Sequence, residues 1–207
     1  MPDLIRKSCA EFASALASDA PTPGGGGAAA LCGVLAASLG AMAARLSAPR
    51  KKTEPERETL QERVAIADAL RQRLLSLIDW DAACFEPLSK AYAIPKEDPE
   101  RKEKLRAASL TACAAPREML RCCGETAELL EELSGLVSPL LLSDVGCAAA
   151  LCHGALEAAA MNVWVNTKGL SGDAEAESLN AETRAILDKA LPLTAEITAR
   201  VREKLET

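Results

Sequence analysis

The chain carries, at residues 21–44, the stretch PTPGGGGAAALCGVLAASLGAMAA, in which a run of proline and glycine leads into small, uncharged residues. Small side chains allow helix backbones to approach one another closely, because the distance between helix axes depends on the residues at the contact. The stretch therefore predicts a helix from about Gly26 to Leu46 that other helices bury on most sides.

The glycines at residues 24–27 predict a ligand loop in front of this helix. Without a Cβ atom the backbone can approach a ligand closely, and the first free N–H groups of a helix favour negative charge. This makes Gly24, Gly25 and Gly26 candidate binding residues. A plain turn before a helix is the alternative, since Gly and Pro punctuate most loops.

Composition favours a single all-α domain spanning residues 1–207. Hydrophobic residues make up 49% of the chain but aromatic residues only 2%, so the core must consist mainly of Ala, Leu, Cys and Val. Such residues pack well where helices lie against helices. The net charge of −6 argues against a nucleic-acid partner, which usually requires an excess of Lys and Arg on one face.

The eight cysteines are predicted to be reduced and structural in a cytoplasmic protein, because no signal peptide is recognisable before them. No Cys-x-x-Cys pair occurs and the chain has one histidine, so we expect no metal site. The apolar segments at residues 28–44 and 145–165 are rich in small residues or interrupted by polar ones. We therefore expect core helices and no membrane span.

Helical spacing recurs along the chain without strand alternation, which predicts a bundle of about six long helices. Pro116 and Pro192 are candidate kinks, and Ser143-Asp144 is a candidate N-cap. The predicted helices run over Pro2–Ser18, Gly26–Leu46, Glu54–Tyr92, Pro99–Leu133 with an interruption at Pro116, Ser143 to Asn166 or Gly169, and Glu177–Leu205.

Polar side chains interrupt two of these apolar helices. Asp79 and Asp81 flank Trp80, and residues two apart on a helix point in different directions, so at most one of the two faces a given cleft. A buried carboxylate would have a raised pKa and could carry a proton; the alternative is two solvated surface charges.

Asn162 and Asn166 are four residues apart and share one helix face, where they could bind a ligand or bridge backbone groups within the bundle. His153 is the residue type suited to acid–base work, but between Cys152 and Gly154 on a packed helix it is interpreted as structural or incidental. Arg50, Lys51 and Lys52 could bind an anion, although solvated surface charge is the usual role of such a run.

Several separated motifs together resemble the cyclodeaminase/cyclohydrolase family, in the same order and spacing, from about Leu4 to Leu205. The family includes the cyclodeaminase part of formiminotransferase-cyclodeaminase and stand-alone methenyltetrahydrofolate cyclohydrolases. The motifs are the Pro21–Gly27 run before an Ala-rich helix, Asp79-x-Asp81-x-x-x-Phe85, Ile94-Pro95-Lys96, Ser143-Asp144, and Asn162-Val163-x-x-Asn166.

The resemblance implies an all-helical fold, usually a homodimer, with a tetrahydrofolate derivative as substrate and no permanently bound cofactor. It also implies that the Asp-x-Asp stretch holds the catalytic residue, which we place at Asp81 with Asp79 as the alternative. Thr22, Gly24, Gly25, Asp144, Asn162 and Asn166 carry over as site residues. We expect no formiminotransferase part in this chain.

Three hypotheses follow, the first being a cyclohydrolase that converts 5,10-methenyltetrahydrofolate and water to 10-formyltetrahydrofolate. The second is a cyclodeaminase that converts 5-formiminotetrahydrofolate to the methenyl compound and ammonia. The third is a non-catalytic folate-binding protein. In both reactions the substrate is already activated, so positioning and one proton carrier suffice.

The glutamate tail of folate needs cationic partners, which Lys51 and its neighbours could supply. Two residues depart from the family pattern: Gly27 stands where a serine is frequent, and Pro87 follows Asp81 in the same predicted helix.

Overall fold

The computed structural model describes residues 3–206 and confirms the all-α prediction, since no strand occurs in that range. Six of its seven α-helices have 12 residues or more. The helices are α1 (Cys9–Leu16), α2 (Gly25–Ser47), α3 (Glu54–Tyr92), α4 (Arg101–Ala112), α5 (Ala114–Leu136), α6 (Leu142–Thr167) and α7 (Ala174–Glu206).

The small-residue helices α2 and α6 lie at the centre of the bundle. Helix α2 packs between α3 and α6, helix α6 packs between α2 and α7, and α5 contacts all four of them. Close approach depends on glycine: a Cβ atom at Gly33 would be 3.0 Å from a methyl group of Leu74 and from the sulfur of Cys123. The alanine-rich core that composition predicted is therefore present.

The first predicted helix was wrong as a continuous element, and its Pro2 lies outside the described residues. A short 3-10 turn, Leu4–Arg6, precedes α1, and the two are separated at Ser8. Ser8 has extended backbone angles and forms a capping box with Glu11, in which each side chain accepts a hydrogen bond from the other's backbone N–H. A capping box marks the start of a helix, so α1 begins after Ser8 and does not extend back to Leu4–Arg6.

The predicted helix from Pro99 to Leu133 is divided into α4 and α5 at Cys113. Pro116 lies in the first turn of α5, where the backbone N–H that proline lacks would have had no partner within the helix. The proline therefore belongs to a helix start, and the interruption comes three residues before it.

The remaining boundaries agree with the sequence to within a few residues. Helix α3 spans Glu54–Tyr92 as predicted and continues through Pro87, and α7 continues through Pro192. Helix α7 begins before the predicted Glu177 because the Asp173 carboxylate accepts hydrogen bonds from the first-turn N–H groups of Glu175 and Ala176.

The proposed N-cap of α6 was wrong. A 3-10 turn, Pro139–Leu141, leads directly into the helix, so Leu141 occupies the N-cap position. Ser143 and Asp144 already lie in the first turn of α6 and provide no side-chain cap for it. Asp144 still adds negative charge at the positive end of the helix dipole.

The described cysteines are all free, and five of them are buried. Burial raises the pKa of the Cys113 thiol to about 11, which keeps the thiol protonated and apolar. Most cysteines thus pack as small hydrophobic residues, as the sequence analysis predicted.

Two stretches, Gly25–Arg50 and Pro139–Thr167, are long and apolar enough to cross a membrane by length and composition alone. In the most apolar window of each, 61% and 33% of the residues are buried inside the protein. The buried core helix of a protein passes the same test, so length and composition do not distinguish a core helix from a membrane-spanning helix.

Candidate functional site

The site is organised around the N-terminus of α2, which lies between α3 and α6. Gly24 occupies the N-cap position and provides no side chain to cap the helix. The carboxylate of Asp81 on α3 serves instead, accepting a hydrogen bond from the backbone N–H of Gly27. A carboxylate at this position is also favoured by the positive end of the helix dipole.

Asp81 lies so close to the backbone of α2 that only glycine fits opposite it. A Cβ atom at Gly26 would be 2.5 Å from Oδ2 and from Cγ of Asp81, well inside van der Waals contact. Position 26 therefore requires a glycine for steric reasons. A plain turn before a helix, the alternative interpretation of the glycine run, does not explain this requirement.

Burial raises the pKa of Asp81 to about 6, because removal from water disfavours the charged form, while the Gly27 N–H partly opposes this shift. A carboxyl group with this pKa is present in both protonation states near neutral pH. It can accept a proton and return it within one reaction cycle.

Asn162 on α6 faces the same helix end from the opposite side. A Cβ atom at Gly25 would be 3.2 Å from the Asn162 side-chain nitrogen, which donates a 2.8 Å hydrogen bond to the carbonyl oxygen of Ala158. The bond leaves the second N–H of this amide and its oxygen for other partners. Asp81, Asn162 and the first turn of α2 thus converge.

Asn166 lies one turn after Asn162 on the same face of α6. Its side-chain nitrogen donates a 3.3 Å hydrogen bond to the carbonyl oxygen of Ala112, the last residue of α4. Asn166 thus joins α6 to α4 at the wall of the site, and this hydrogen bond leaves its amide oxygen for another partner. The two asparagines therefore lie side by side, as their spacing predicted.

Asp79 is not part of this cluster. Its Oδ1 accepts a 2.8 Å hydrogen bond from the backbone N–H of Leu4, a buried residue in the 3-10 turn before α1. Asp79 therefore holds the N-terminal segment against α3. Of the two aspartates that the sequence left open, the structure places Asp81 at the α2 N-terminus.

Thr22 lies half-buried just before the glycines, and the Thr22–Pro23 peptide bond is cis. Pro23 is buried against the first turn of α2: a Cβ atom at Gly27 would be 3.4 Å from Cβ of Pro23 and 3.8 Å from the Phe12 ring. A side chain at position 27 would point toward these two residues and away from Asp81. The absence of a serine there removes no group from the cluster.

Asp144 and Lys51 lie at the other end of the bundle. Helix α2 has 23 residues and so separates Gly25 from Lys51 by roughly 35 Å, and 18 residues of α6 separate Asp144 from Asn162 by roughly 27 Å. Both residues are distant because α2 and α6 run antiparallel, with the Ser47 hydroxyl accepting a hydrogen bond from the Ser138 N–H at the far end. The structure does not bring either residue to Asp81, nor Arg50 or Lys52.

A cleft of about 690 Å³ adjoins the cluster at Asn166. It lies between the end of α3, the loop that follows it, α4 and the end of α6; its lining includes Tyr92, Lys96, Lys102, Ser109, Val165 and Asn166. The sequence analysis used Ile94-Pro95-Lys96 as a family motif and a helix end, but missed Lys96 as a site residue. Only the packing of α4 against α3 and α6 reveals the cleft.

His153 lies outside the cluster. The His153 Nδ1 is 2.9 Å from the Thr194 hydroxyl, which itself donates to the Ala190 carbonyl, so the histidine joins α6 to α7. Within residues 3–206 no three His, Cys, Asp or Glu side chains lie close enough to hold a metal ion. At the α2 N-terminus, Asp81 offers a carboxyl group for proton transfer and Asn162 offers an amide for hydrogen bonding.

Comparisons with known proteins give consistent results. A family model described as formiminotransferase-cyclodeaminase matches residues 8–185. The methenyltetrahydrofolate cyclohydrolase of Methylorubrum extorquens is 35% identical over 198 residues, covering 94% of this chain and 95% of that protein. The formimidoyltransferase-cyclodeaminase of Sus scrofa is 27% identical over 97% of this chain, which spans only 38% of that longer protein.

The fold is also similar to a solved structure, the formiminotetrahydrofolate cyclodeaminase of Thermotoga maritima. The TM-score is 0.88 and the sequence identity 26%, with 97% of this chain and 98% of the other covered. Similarity of fold and of sequence therefore extends along nearly the whole chain.

Proposed function

The chain belongs to the formiminotransferase-cyclodeaminase family, and from this premise we propose that it is a folate one-carbon enzyme. The proposed reaction is hydrolysis of 5,10-methenyltetrahydrofolate to 10-formyltetrahydrofolate. The observation that carries this proposal is the Asp81 carboxyl, held against the α2 N-terminus with a pKa raised by burial to about 6. The 35% identity with a cyclohydrolase over almost the full length of both proteins supports the choice of reaction.

The reaction needs one group that accepts a proton and later returns it. Water attacks the methenyl carbon between N5 and N10 of the substrate, and ionised Asp81 takes a proton from that water. The resulting carbinol carbon forms its C=O bond as its bond to N5 breaks; Asp81 protonates N5, and the hydroxyl proton is released. The products are 10-formyltetrahydrofolate and one proton, so the step is balanced without an added oxidant or reductant.

The other groups of the cluster orient the substrate. The free N–H and the oxygen of the Asn162 amide, together with the Asn166 oxygen, can hydrogen-bond the pterin ring or the attacking water. The absence of a Cβ atom at Gly25 and Gly26 lets the substrate approach the backbone between Asp81 and Asn162. Thr22, next to the glycines, contributes its hydroxyl group at the same helix end. No resident cofactor is needed, since the folate derivative is itself the substrate.

Cyclodeamination of 5-formiminotetrahydrofolate is the second candidate. It is favoured by the similarity to the Thermotoga maritima cyclodeaminase, at a TM-score of 0.88. In this reaction N10 attacks the carbon of the protonated formimino group, N5–CH=NH2⁺, and Asp81 carries the N10 proton to the departing NH2. That nitrogen leaves as ammonia, and the carbon remains as the methenyl cation between N5 and N10. The same carboxyl group and the same amides would serve both reactions.

The functional unit is proposed to be a homodimer formed through the outer face of α2 and α6. On this face Leu35 and Met161 are 47% and 60% exposed. The only charged residue of α2 is Arg45, which pairs with Asp68 of α3. Helix α6 adds the half-buried Glu157, one turn before Met161. A largely apolar surface on two adjacent helices is typical of an interface with a second copy.

The two reactions are distinguished by spectroscopy and ammonia release. We expect purified protein to accelerate the loss of the 5,10-methenyltetrahydrofolate absorbance well above the spontaneous rate, with 10-formyltetrahydrofolate as product. If the loss is not accelerated, hydrolysis is excluded, and ammonia release from 5-formiminotetrahydrofolate then tests the second candidate. Binding of folate without either reaction would identify a non-catalytic folate-binding protein.

A further inference from the structure

The cleft beside Asn166 is not used by the chemistry proposed for Asp81. It has a volume of about 690 Å³, and its walls come from the end of α3, helix α4 and the end of α6. A small satellite core that includes Leu88, Ala91 and Ala108 holds α4 against α3, so the walls are packed elements of the fold. A defined cavity of this size is large enough for a substantial part of a small-molecule ligand.

The cleft begins one turn of α6 away from the proposed reaction site, and its lining does not include Asp81 or Asn162. Asn162 contacts the α2 N-terminus and Asn166, one turn further along α6, lines the cleft. On the opposite wall, α3 runs eleven residues from Asp81 to Tyr92, about 16 Å and close to three helical turns, so both residues lie on similar faces. A ligand held at Asp81 and extended along α3 would reach Tyr92 and the loop after it.

The charges in the cleft leave two cations without partners. Arg106 is paired with Asp173 and Glu103, and the Arg101 side chain donates to the backbone carbonyl of Ile94. The Asp98 carboxylate accepts a hydrogen bond from the backbone N–H of Glu100.

Lys96 and Lys102, by contrast, form no hydrogen bond or ion pair with any part of the chain from residue 3 to residue 206, and both are exposed. They are therefore available to anionic groups of a ligand.

Apolar side chains also line the cleft. Tyr92 is 59% exposed and Val165 is 64% exposed, and both line the cleft. Exposed apolar groups on opposite walls provide contacts for a flat ring, and lysines beyond them provide partners for carboxylates. From Asp81 outward, the order of groups is thus proton carrier, amides, apolar walls and cations.

We propose that this cleft binds the p-aminobenzoyl-glutamate part of the folate substrate, with Lys96 and Lys102 as partners of the tail carboxylates. The inference rests on the proposed function, since it takes the pterin end to lie at Asp81 and Asn162. The order of chemical groups along the cleft matches the order along an extended folate: fused ring, aromatic ring, carboxylates. Lys96 and Lys102 replace Lys51, which lies at the opposite end of α2.

The test is a double charge reversal, Lys96→Glu with Lys102→Glu. We expect KM for 5,10-methenyltetrahydrofolate to rise about tenfold or more with little change in kcat, because charge-assisted hydrogen bonds to the tail are lost while the reacting atoms are untouched. The matched control is Lys51→Glu with Lys52→Glu, which changes the net charge equally at the far end of α2. A KM for the cleft variant equal to that of this control would overturn the proposal.

A truncated substrate separates tail binding from general electrostatics. The compound 5,10-methenyltetrahydropteroate lacks the glutamate, so wild type and the Lys96/Lys102 variant should have the same KM for it. A KM that rises equally for both substrates would show that the lysines do not act on the tail, and would overturn the proposal.

A binding measurement keeps the inference distinct from the proposed reaction. If wild-type protein turns over neither folate substrate, the proposed function fails, and calorimetric titration with 5-formyltetrahydrofolate tests the cleft by itself. Binding that is weakened about tenfold only in the Lys96/Lys102 variant would support the cleft as a folate-tail site. Equal binding by all variants, or no binding by wild type, would overturn it.

Discussion

The contact between Gly26 and Asp81 links the glycine run to the proposed chemistry at the scale of single residues. The carboxylate occupies the space where a side chain at position 26 would be, and it caps α2 from another helix. The helix start is thus stabilised by the same group that we propose as the proton carrier. Removal from water raises the pKa of that group, so capping and reactivity have one structural cause.

Gly26→Ala should therefore abolish most of the activity. The added methyl group would overlap the Asp81 carboxylate, which would have to leave its position against the Gly27 N–H. We expect kcat/KM to fall at least about a hundredfold, comparable with the loss of a general acid–base group.

Gly24→Ala is the matched control, since nothing lies within 4 Å of a Cβ atom there and its φ of −124° suits any residue. Equal activities in the two variants would contradict the steric role of Gly26. Melting temperatures of both variants show whether the fold is retained.

The buried Asp81 carboxylate should also lower the free energy of unfolding at neutral pH. Its folded-state pKa of about 6 lies above the ordinary value of 3.8, so folding favours the protonated form. The cost is absent below about pH 4, grows between pH 4 and 6, and is complete above pH 6, where it amounts to at most about 3 kcal/mol.

Asp81→Asn should accordingly raise the free energy of unfolding at pH 7.5 and leave it nearly unchanged at pH 4. Urea denaturation at the two pH values measures the difference. Destabilisation that is larger at pH 7.5 than at pH 4 would show that the carboxylate is stabilised by folding, contrary to the structure.

Sequence reasoning found the residue types of the site but could not choose between neighbours. Asp79 and Asp81 have the same chemistry and point in different directions from α3, and periodicity does not reveal which direction faces α2. The choice depends on where Leu4 and Gly27 lie, and these are long-range contacts. Asn162 and Asn166 were easier to place together, because their four-residue spacing is a local property of a helix.

At the scale of helices, the antiparallel packing of α2 and α6 decides which predicted residues meet. It brings the first turn of α2 to the last turns of α6, and it sends Lys51 and Asp144 to the far end. The small residues that predicted a buried α2 are what allow this packing. Helix spacing was visible in the sequence, whereas helix direction and the position of α4 are tertiary properties, so the cleft with Lys96 was missed.

Glycines in α5 and α6 should differ sharply in their tolerance of alanine. A Cβ atom at Gly146 in α6 would be 2.7 Å from a methyl group of Val201 in α7, whereas Gly135 near the end of α5 has nothing within 4 Å. We expect Gly146→Ala to destabilise the protein by about 1–3 kcal/mol through overpacking. Gly135→Ala should be neutral or stabilising by about 0.5–1 kcal/mol, because alanine favours helix. Chemical denaturation measures both values, and equal effects would contradict the close packing of α6 on α7.

For the whole molecule, the outer face of α2 and α6 explains why two helices satisfy a length and composition test for membrane spans. Leu35 and Met161 are exposed on helices that otherwise belong to the core. A second copy packed on this face would bury these residues and leave the charged outer residues of α3, α5 and α7 in water. The face ends beside Asn162, so dimer formation would also limit access of water to the proposed site.

We predict that the protein is a dimer in solution and that Leu35→Glu combined with Met161→Glu makes it monomeric. Burying two glutamates without partners would cost more free energy than the apolar contacts of the interface contribute. Light scattering coupled to gel filtration measures the mass. Leu205→Glu is the control, because Leu205 is 62% exposed at the end of α7, away from this face. A wild-type monomer, or a dimer that survives the double change, would contradict the proposed interface.

The central claim is that Asp81, and not Asp79, carries the proton on a folate substrate. It is tested most directly by kcat/KM for 5,10-methenyltetrahydrofolate in Asp81→Asn and Asp79→Asn, each across pH 5–8. We predict a loss of about 10²- to 10⁴-fold for Asp81→Asn and near-normal turnover for Asp79→Asn. In wild type the rate should fall as the pH drops through about 6, where Asp81 becomes protonated. Full activity in the Asp81 variant, or a greater loss in the Asp79 variant, would contradict the claim.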